Sequence, residues 1–261
     1  MADEEPTLDV VLVGFRPGEE TDRALSDVRE LSELGISLHY FDNTGNPKNL
    51  SMAWNDLAME GRARYIAFLN SDLILSPGWD AKLVMVLDQR PDVGAAIPFA
   101  VASGPVTYHG NAFTIGSPPS REDMASLALH AQEIEEPEIY DYGTEGAPFF
   151  AVMVRRSDFE SLRGFDERFR FYAQDHEFQE RLRSRGQKTV RVSDCPAWHG
   201  GSIATKRASE FNDMSPHDEY VFFGEVLSRV RRGDVPRWHD LDDPARVAVR
   251  ADRRYYIPRR G

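Results

Sequence analysis

The run YIAFLNSDLIL (residues 65–75) would suit a buried strand, yet it carries Asn70, Ser71 and Asp72 in its middle. Burying an unpaired carboxylate costs several kcal/mol or raises its pKa until it is neutral. The strand must therefore end there and turn the triplet into a cleft, or something must bind the charge. Asp72 offers hard carboxylate oxygens of the kind that Mg²⁺ and Mn²⁺ prefer. Asn70 beside it can hydrogen-bond a hydroxyl but adds no charge. Other constellations are missing: no phosphate loop with its Lys, no Gly-rich dinucleotide turn, no HExxH, no paired cysteines and no Gly-x-Ser-x-Gly elbow. What remains for chemistry is acids at strand ends, together with histidine.

The elements that must position these groups are legible in the first hundred residues. LDVVLVGF (residues 8–15) is a continuous apolar run, as a strand buried on both faces requires. ETDRALSDVRELSEL then spaces Ala24, Leu25, Val28, Leu31 and Leu34 helically, with Gly35 as its stop. ISLHYFDN, LSMAWNDLAMEG, YIAFL, WDAKLVMVLDQRP and VGAAIPFA continue the alternation as strand, helix, strand, helix and strand. This pattern predicts an α/β, mostly parallel, doubly wound sheet flanked by helices. Ligands of such sheets sit beyond the carboxyl ends of the strands, here Phe15-Arg16, Asp42-Asn43 and Asn70-Ser71-Asp72. Residues 101–150, rich in Gly and Pro, are expected to form loops and short strands. FFAVMVRR and KTVRVSD predict further strands, and QDHEFQERLRSRG and DEYVFFGEVLSRVRRG predict helices.

The 261 residues allow one large domain or two small ones, with 41% hydrophobic and 28% charged residues, an ordinary globular balance. A single cysteine, Cys195, excludes an internal disulfide and suits a reducing compartment. No apolar run approaches the ~20 residues of a membrane span, and the acidic start MADEEPT does not resemble a signal peptide. The expectation is a cytoplasmic protein, in solution or peripheral at a membrane surface. A net charge of −12 opposes general attraction to nucleic acid, although a modified-DNA acceptor stays open. Against that background, RVAVRADRRYYIPRR concentrates Arg246, Arg250, Arg253, Arg254, Arg259 and Arg260. The expected arrangement is a solvated basic tail lying against an acidic body. The alternative is contact with an anionic acceptor or a phospholipid surface.

From residue 8 to residue 202 the sequence resembles the family 2, GT-A fold, nucleotide-sugar-dependent glycosyltransferases. The pieces are VVLVGF, HYFDNTG, SMAWNDL, FLNSDLILSPGW, GFDERFRFYAQDHEFQERLRSRG and AWHGGS, all in order. The resemblance implies a single GT-A domain over residues 1–202, with a donor half to about residue 100 and an acceptor half beyond it. Residues 203–261 would add a C-terminal helix and a basic tail packed on the same domain.

The resemblance also assigns roles. Phe15, Asp42, Asn55, Asn70, Ser71 and Asp72 would bind the nucleoside-diphosphate sugar, with Asp42 on the base. Asp72 and His199 would hold Mn²⁺ or Mg²⁺. Asp175 would be the general base, and Gly146, Ala147, Gln174 and Glu177 would face the acceptor. Asn70 and Gln174 depart from the family, which usually has acids at both places. Plainer readings stand beside these: an Asx-turn for Asp42, a helix–loop hydrogen bond for Asn55, a helix N-cap for Asp175, and core packing for Trp54, Trp79 and Trp198. The expected activity is inverting transfer of a sugar, most often from a UDP-sugar, to a hydroxyl of a glycan or other acceptor. A metal-dependent nucleotidyltransferase, a glycoside hydrolase and a non-catalytic nucleotide-sugar-binding protein are the alternatives.

Overall fold

Strand β1 (Leu8–Gly14) is buried along its whole length, which demands cover on both faces and a neighbour on each edge. The computed structural model describes residues 6–45, 48–133, 139–143, 146–200, 214–233 and 243–256. Gly201, Ser202, Arg259 and Arg260, named above, lie outside the described residues. β1 pairs in parallel with β2 (Ile36–Asp42) and with β3 (Tyr65–Leu69). The full sheet adds β4 (Leu73–Leu75), β5 (Val93–Val101), β8 (Ile139–Asp141), β9 (Ala151–Arg155) and β10 (Lys188–His199). Its order is β2-β1-β3-β9-β5-β10-β4, with β8 also pairing with β10. β9 is antiparallel to both β3 and β5, and β4 and β8 are antiparallel to β10. β1, β2, β3, β5 and β10 therefore all run one way, so the sheet is mixed but mostly parallel.

The helices follow the expected alternation: α1 (Glu19–Leu31), α2 (Leu50–Glu60) and α3 (Trp79–Gln89), then α5 (Arg156–Ser161) and α6 (Gln174–Ser184). α1 stops at Leu31, short of Gly35, and the Ser32 hydroxyl donates to the Val28 carbonyl there. Residues 101–150 are more ordered than expected. They hold a hairpin, β6 (Gly104–Tyr108) and β7 (Asn111–Ile115), and a twelve-residue helix, α4 (Arg121–Gln132). A capping box starts α4: the Ser120 hydroxyl accepts from the Asp123 amide while the Asp123 carboxylate accepts from Ser120. Near the C-terminus, α7 (Met214–Tyr220) runs through a π-helical turn (Val221–Val226) into α8 (Leu227–Arg231). Last comes α9 (Pro244–Ala251), capped by Asp243 with proline at its first turn. No helix among the described residues is long and apolar enough to cross a membrane.

An aromatic core underlies the centre of the sheet. Phe165 lies 5.1 Å from Trp54 of α2, 4.9 Å from Phe68 of β3 and 4.9 Å from Phe178 of α6 between ring centroids. It thus locks the loop before α6 to the first half of the chain. Trp54 and Trp79 are both core residues, as their plainer reading held.

One polar group sits inside β1. Asp9 is buried and accepts from the Ala63 amide (2.7 Å), Arg156 (2.6 Å) and His39 (2.9 Å). Gly61 leaves the space for that carboxylate, because a Cβ there would overlap it. Gly61→Ala is accordingly expected to destabilise the fold by about 1–3 kcal/mol, the usual effect of overpacking. Urea denaturation reads this directly, and an unchanged midpoint would contradict it.

Candidate active site

β3 ends where Asn70 donates its amide to the Phe150 carbonyl (2.8 Å), and the turn into β4 carries Ser71 and Asp72. The polar triplet thus marks a strand end, with Asp72 95% buried beneath the turn. His199, the last residue of β10, pairs with Leu73 of β4, and this register brings its ring over the triplet. Its Nε2 lies 3.2 Å from Asp72 Oδ1 and 3.2 Å from Asn70 Nδ2. Phe150 stacks on the imidazole, 5.4 Å between centroids and 13° from parallel. Gly200 donates its amide to the Asp72 carbonyl (2.9 Å).

Nε2 of a neutral imidazole cannot both donate to Asp72 and accept from the Asn70 amide. With its proton on Nδ1, that nitrogen presents a lone pair beside a carboxylate, which is a ligand pair for a divalent cation. Among the described residues no third His, Cys, Asp or Glu joins them in a metal-binding group. The donor set fits an ion that takes its remaining positions from phosphate oxygens and water, the usual manner for Mg²⁺.

Phe15 and Asp42 share the same crest, because Gly14 of β1 is in register with Asp42 of β2. Asp42 is exposed and accepts from the Thr44 amide (2.9 Å), an Asx-turn. The Thr44 hydroxyl accepts from the Arg16 amide, and the Arg16 guanidinium lies over the Phe15 ring at 5.4 Å. A cavity of about 300 Å³ opens beside Asp72, lined in part by Glu19, Glu20, Arg23, Ile74 and Trp198. Trp198 both lines this cleft and packs against the core cluster of Ile74, Val101 and Tyr108, and its indole donates to Ser103. Arg23 and Glu20 could not be found from spacing, since on α1 they read as ordinary solvated helix residues.

Asp175 lies in the first turn of α6, half-buried, and accepts from the amides of His176 (2.9 Å) and Phe149 (3.4 Å). Burial raises its pKa above the ordinary Asp range, opposed by the charge of His176 and by these N–H groups. Ala173, just before α6, has φ 62, a left-handed conformation costing a non-glycine residue about 1–2 kcal/mol. Gln174 is buried, and among the described residues its Oε1 has no hydrogen-bond partner. Gly146 lies against His176, where a Cβ would overlap the imidazole. Ala147 is buried and exchanges two hydrogen bonds with the Gln179 amide (2.9 and 2.8 Å). Gly146, Ala147, Gln174 and Asp175 are thus brought together.

Two expected site residues are placed elsewhere. Asn55 is buried in α2, where it accepts from the Phe165 amide and donates to the Phe165 carbonyl (both 2.8 Å). Its helical phase turns it to the core, so it pins the Phe165 loop instead of reaching a ligand. Glu177 is fully buried and paired with Arg181 at 2.6 Å. Two positions on from Asp175, it lies on the inner side of α6, away from any acceptor.

Residues 149 and 150 join the two clusters: the Phe149 amide is bonded to Asp175, and Phe150 touches both Asn70 and His199. Residues 149 and 150 thus connect the half-buried Asp175 carboxylate to the Asp72–His199 pair.

Comparison with known proteins gives the family and the fold. Residues 18–163 match the model of glycosyl transferase family 2. The O-antigen biosynthesis protein RfbC of Myxococcus xanthus is 31% identical over 186 residues, which are 67% of this chain and 13% of that protein. The chain thus spans about an eighth of that relative's length. The mannosyltransferase PcManGT of Pyrobaculum calidifontis, solved with GDP-Man and Mn²⁺, superposes with a TM-score of 0.51 at 11% identity, covering 95% of this chain and 74% of that one. GalNAc-T7, solved with UDP, GalNAc and Mn²⁺, gives 0.47 at 13% identity, over 89% and 59%. The fold is of the GT-A type. With the strand-end acids, the histidine at the end of β10 and the match over more than half its length, the chain belongs to glycosyl transferase family 2.

Proposed function

We propose that the chain transfers a sugar from a nucleoside-diphosphate sugar to an acceptor hydroxyl, with inversion. The observation that carries this reading is the link through Phe149 and Phe150 between Asp175 and the Asp72–His199 pair. The crest of Phe15, Asp42 and Asn70-Ser71-Asp72 takes the nucleotide, with the donor half in about residues 1–100 and the acceptor half in residues 101–202. Asp72 and His199 hold the divalent ion, Mn²⁺ or Mg²⁺. That ion, when bound, supplies positive charge to the leaving diphosphate.

Asp175 takes the proton of the acceptor hydroxyl, and the freed oxygen attacks the anomeric carbon. The bond from that carbon to the phosphate oxygen breaks, and the diphosphate leaves with the electron pair. Gly146, Ala147 and Gln174 form the wall against which the acceptor is oriented. The name of the Myxococcus relative favours a glycan acceptor. UDP is the first choice of donor base, and the GDP-Man of the archaeal mannosyltransferase makes GDP its rival. A second reading, donor binding without turnover, draws support from Gln174, which supplies no charge beside the base.

Calorimetric titration with UDP, GDP and dTDP, each with and without Mn²⁺, tests the donor site. Metal-dependent binding of one diphosphate is the expected result. Folded protein that binds none of them would overturn the proposal.

A further inference from the structure

Residues 165–173 form the loop that delivers Asp175, and its last part is held from α7, some forty-five residues further on. Asp218 of α7 is fully buried. Its Oδ1 accepts from the Arg170 amide (3.0 Å), and its Oδ2 accepts from the amides of Phe171 (2.9 Å) and Tyr172 (2.7 Å). The fourth contact is His217 Nδ1 at 2.9 Å from Oδ1. Three consecutive backbone N–H groups on one buried carboxylate fix the chain direction at residues 170–172.

The next residue is Ala173 in its left-handed conformation, followed by Gln174 and Asp175. A strained residue of this kind persists only where its surroundings over-determine it. The apolar side of the same clamp is Phe169, buried against Val221, Phe222, Val226 and Val230. We infer that Asp218 is a positioning residue: through the amides of residues 170–172 it holds Ala173 left-handed and aims Asp175 at the acceptor hydroxyl. This rests on the reading of Asp175 as the base.

The test compares wild type with Asp218→Asn, Asp218→Glu and Asp175→Asn. Three quantities are measured: hydrogen exchange at the amides of Arg170, Phe171 and Tyr172, nucleoside-diphosphate affinity, and release of nucleoside diphosphate from the sugar nucleotide with water as acceptor. Asp218→Asn is expected to speed exchange at the three amides at least about 10-fold and to lower kcat about 10- to 100-fold, as a small misplacement of a reacting group does. KM and nucleotide affinity should stay within about twofold, since donor binding is made elsewhere. Asp218→Glu, which keeps both acceptor oxygens, should recover most of the protection and of kcat.

Unchanged kcat in Asp218→Asn with Asp175→Asn inert would overturn this inference alone. So would a loss of nucleotide affinity in step with kcat. Full turnover by Asp175→Asn would overturn the base reading itself. If Asp218→Asn does not fold, His217→Ala takes its place: faster exchange at Arg170 together with a lower kcat supports the inference, and any other result overturns it.

Discussion

Asp175→Asn is expected to lower turnover about 10²- to 10⁴-fold, the usual contribution of a positioned base, while leaving nucleoside-diphosphate binding within about twofold. The side chain keeps its shape, and its one amide oxygen can still accept the 2.9 Å bond from the His176 amide, while the longer 3.4 Å bond from Phe149, made to the other oxygen, is lost. The larger loss is the capacity to take a proton. The wild-type pH profile supplies a second check. Burial raises the pKa of Asp175, and a base works only when deprotonated. Turnover should therefore fall with acidity through a midpoint above the ordinary Asp value of 3.8. Asp175→Asn should have a low residual rate without that midpoint. Turnover near the wild-type rate would remove Asp175 from the mechanism.

The largest effect on stability is expected at Glu167. Its carboxylate is fully buried and takes two hydrogen bonds from Arg250 (both 2.7 Å), one contact from Arg246 (3.0 Å) and one from Asn55 (3.1 Å). Arg246 is itself fully buried. Glu167→Gln removes the charge that compensates it, and breaking a buried pair from one side costs about 3–5 kcal/mol. Asp56, more exposed and already paired with Lys48 at 2.7 Å, is a poor substitute. Urea denaturation should show a lower midpoint at similar slope. A loss below about 1 kcal/mol, the range of exposed pairs, would mean that α9 is not held by this ionic seat.

The first hundred residues were legible because each element there repeats one period and ends on a turn residue. The crest of Phe15, Asp42 and Asp72 followed from strand ends alone, as did the need for the Asn70 triplet to face a cleft. The direction of β9 did not follow. FFAVMVRR reads equally well either way, and only the path through β6, β7, α4 and β8 decides it. α4 was missed because Gly and Pro on either side masked its Ser120-x-x-Asp123 cap. In α9 a similar signal, Asp243 followed by Pro244, marks a helix start within what reads as a basic tail. Its arginines lie against an acidic body, as expected, yet Arg246 is buried rather than solvated. Asn55 and Glu177 were misplaced for one reason: a motif gives a position along a helix, while the facing is set by the partner it packs on. Asp218 lies far from the motif it supports, and no local pattern distinguishes it from a surface acid.

The ionic seat of α9 also sets an order of events during synthesis. Chains emerge from the ribosome at about 5–20 residues per second, and the earlier parts begin to fold first. Residues up to about 163 can assemble β1, β2, β3 and β9 while the rest is still unmade. Among the described residues, the cationic partners of Glu167 are Arg246 and Arg250, some eighty positions later. Until they arrive, the loop before α6 carries a carboxylate that cannot leave water. A chain stalled before residue 246 should therefore leave the Glu167 loop unsettled, and a truncation ending there should lower the urea midpoint.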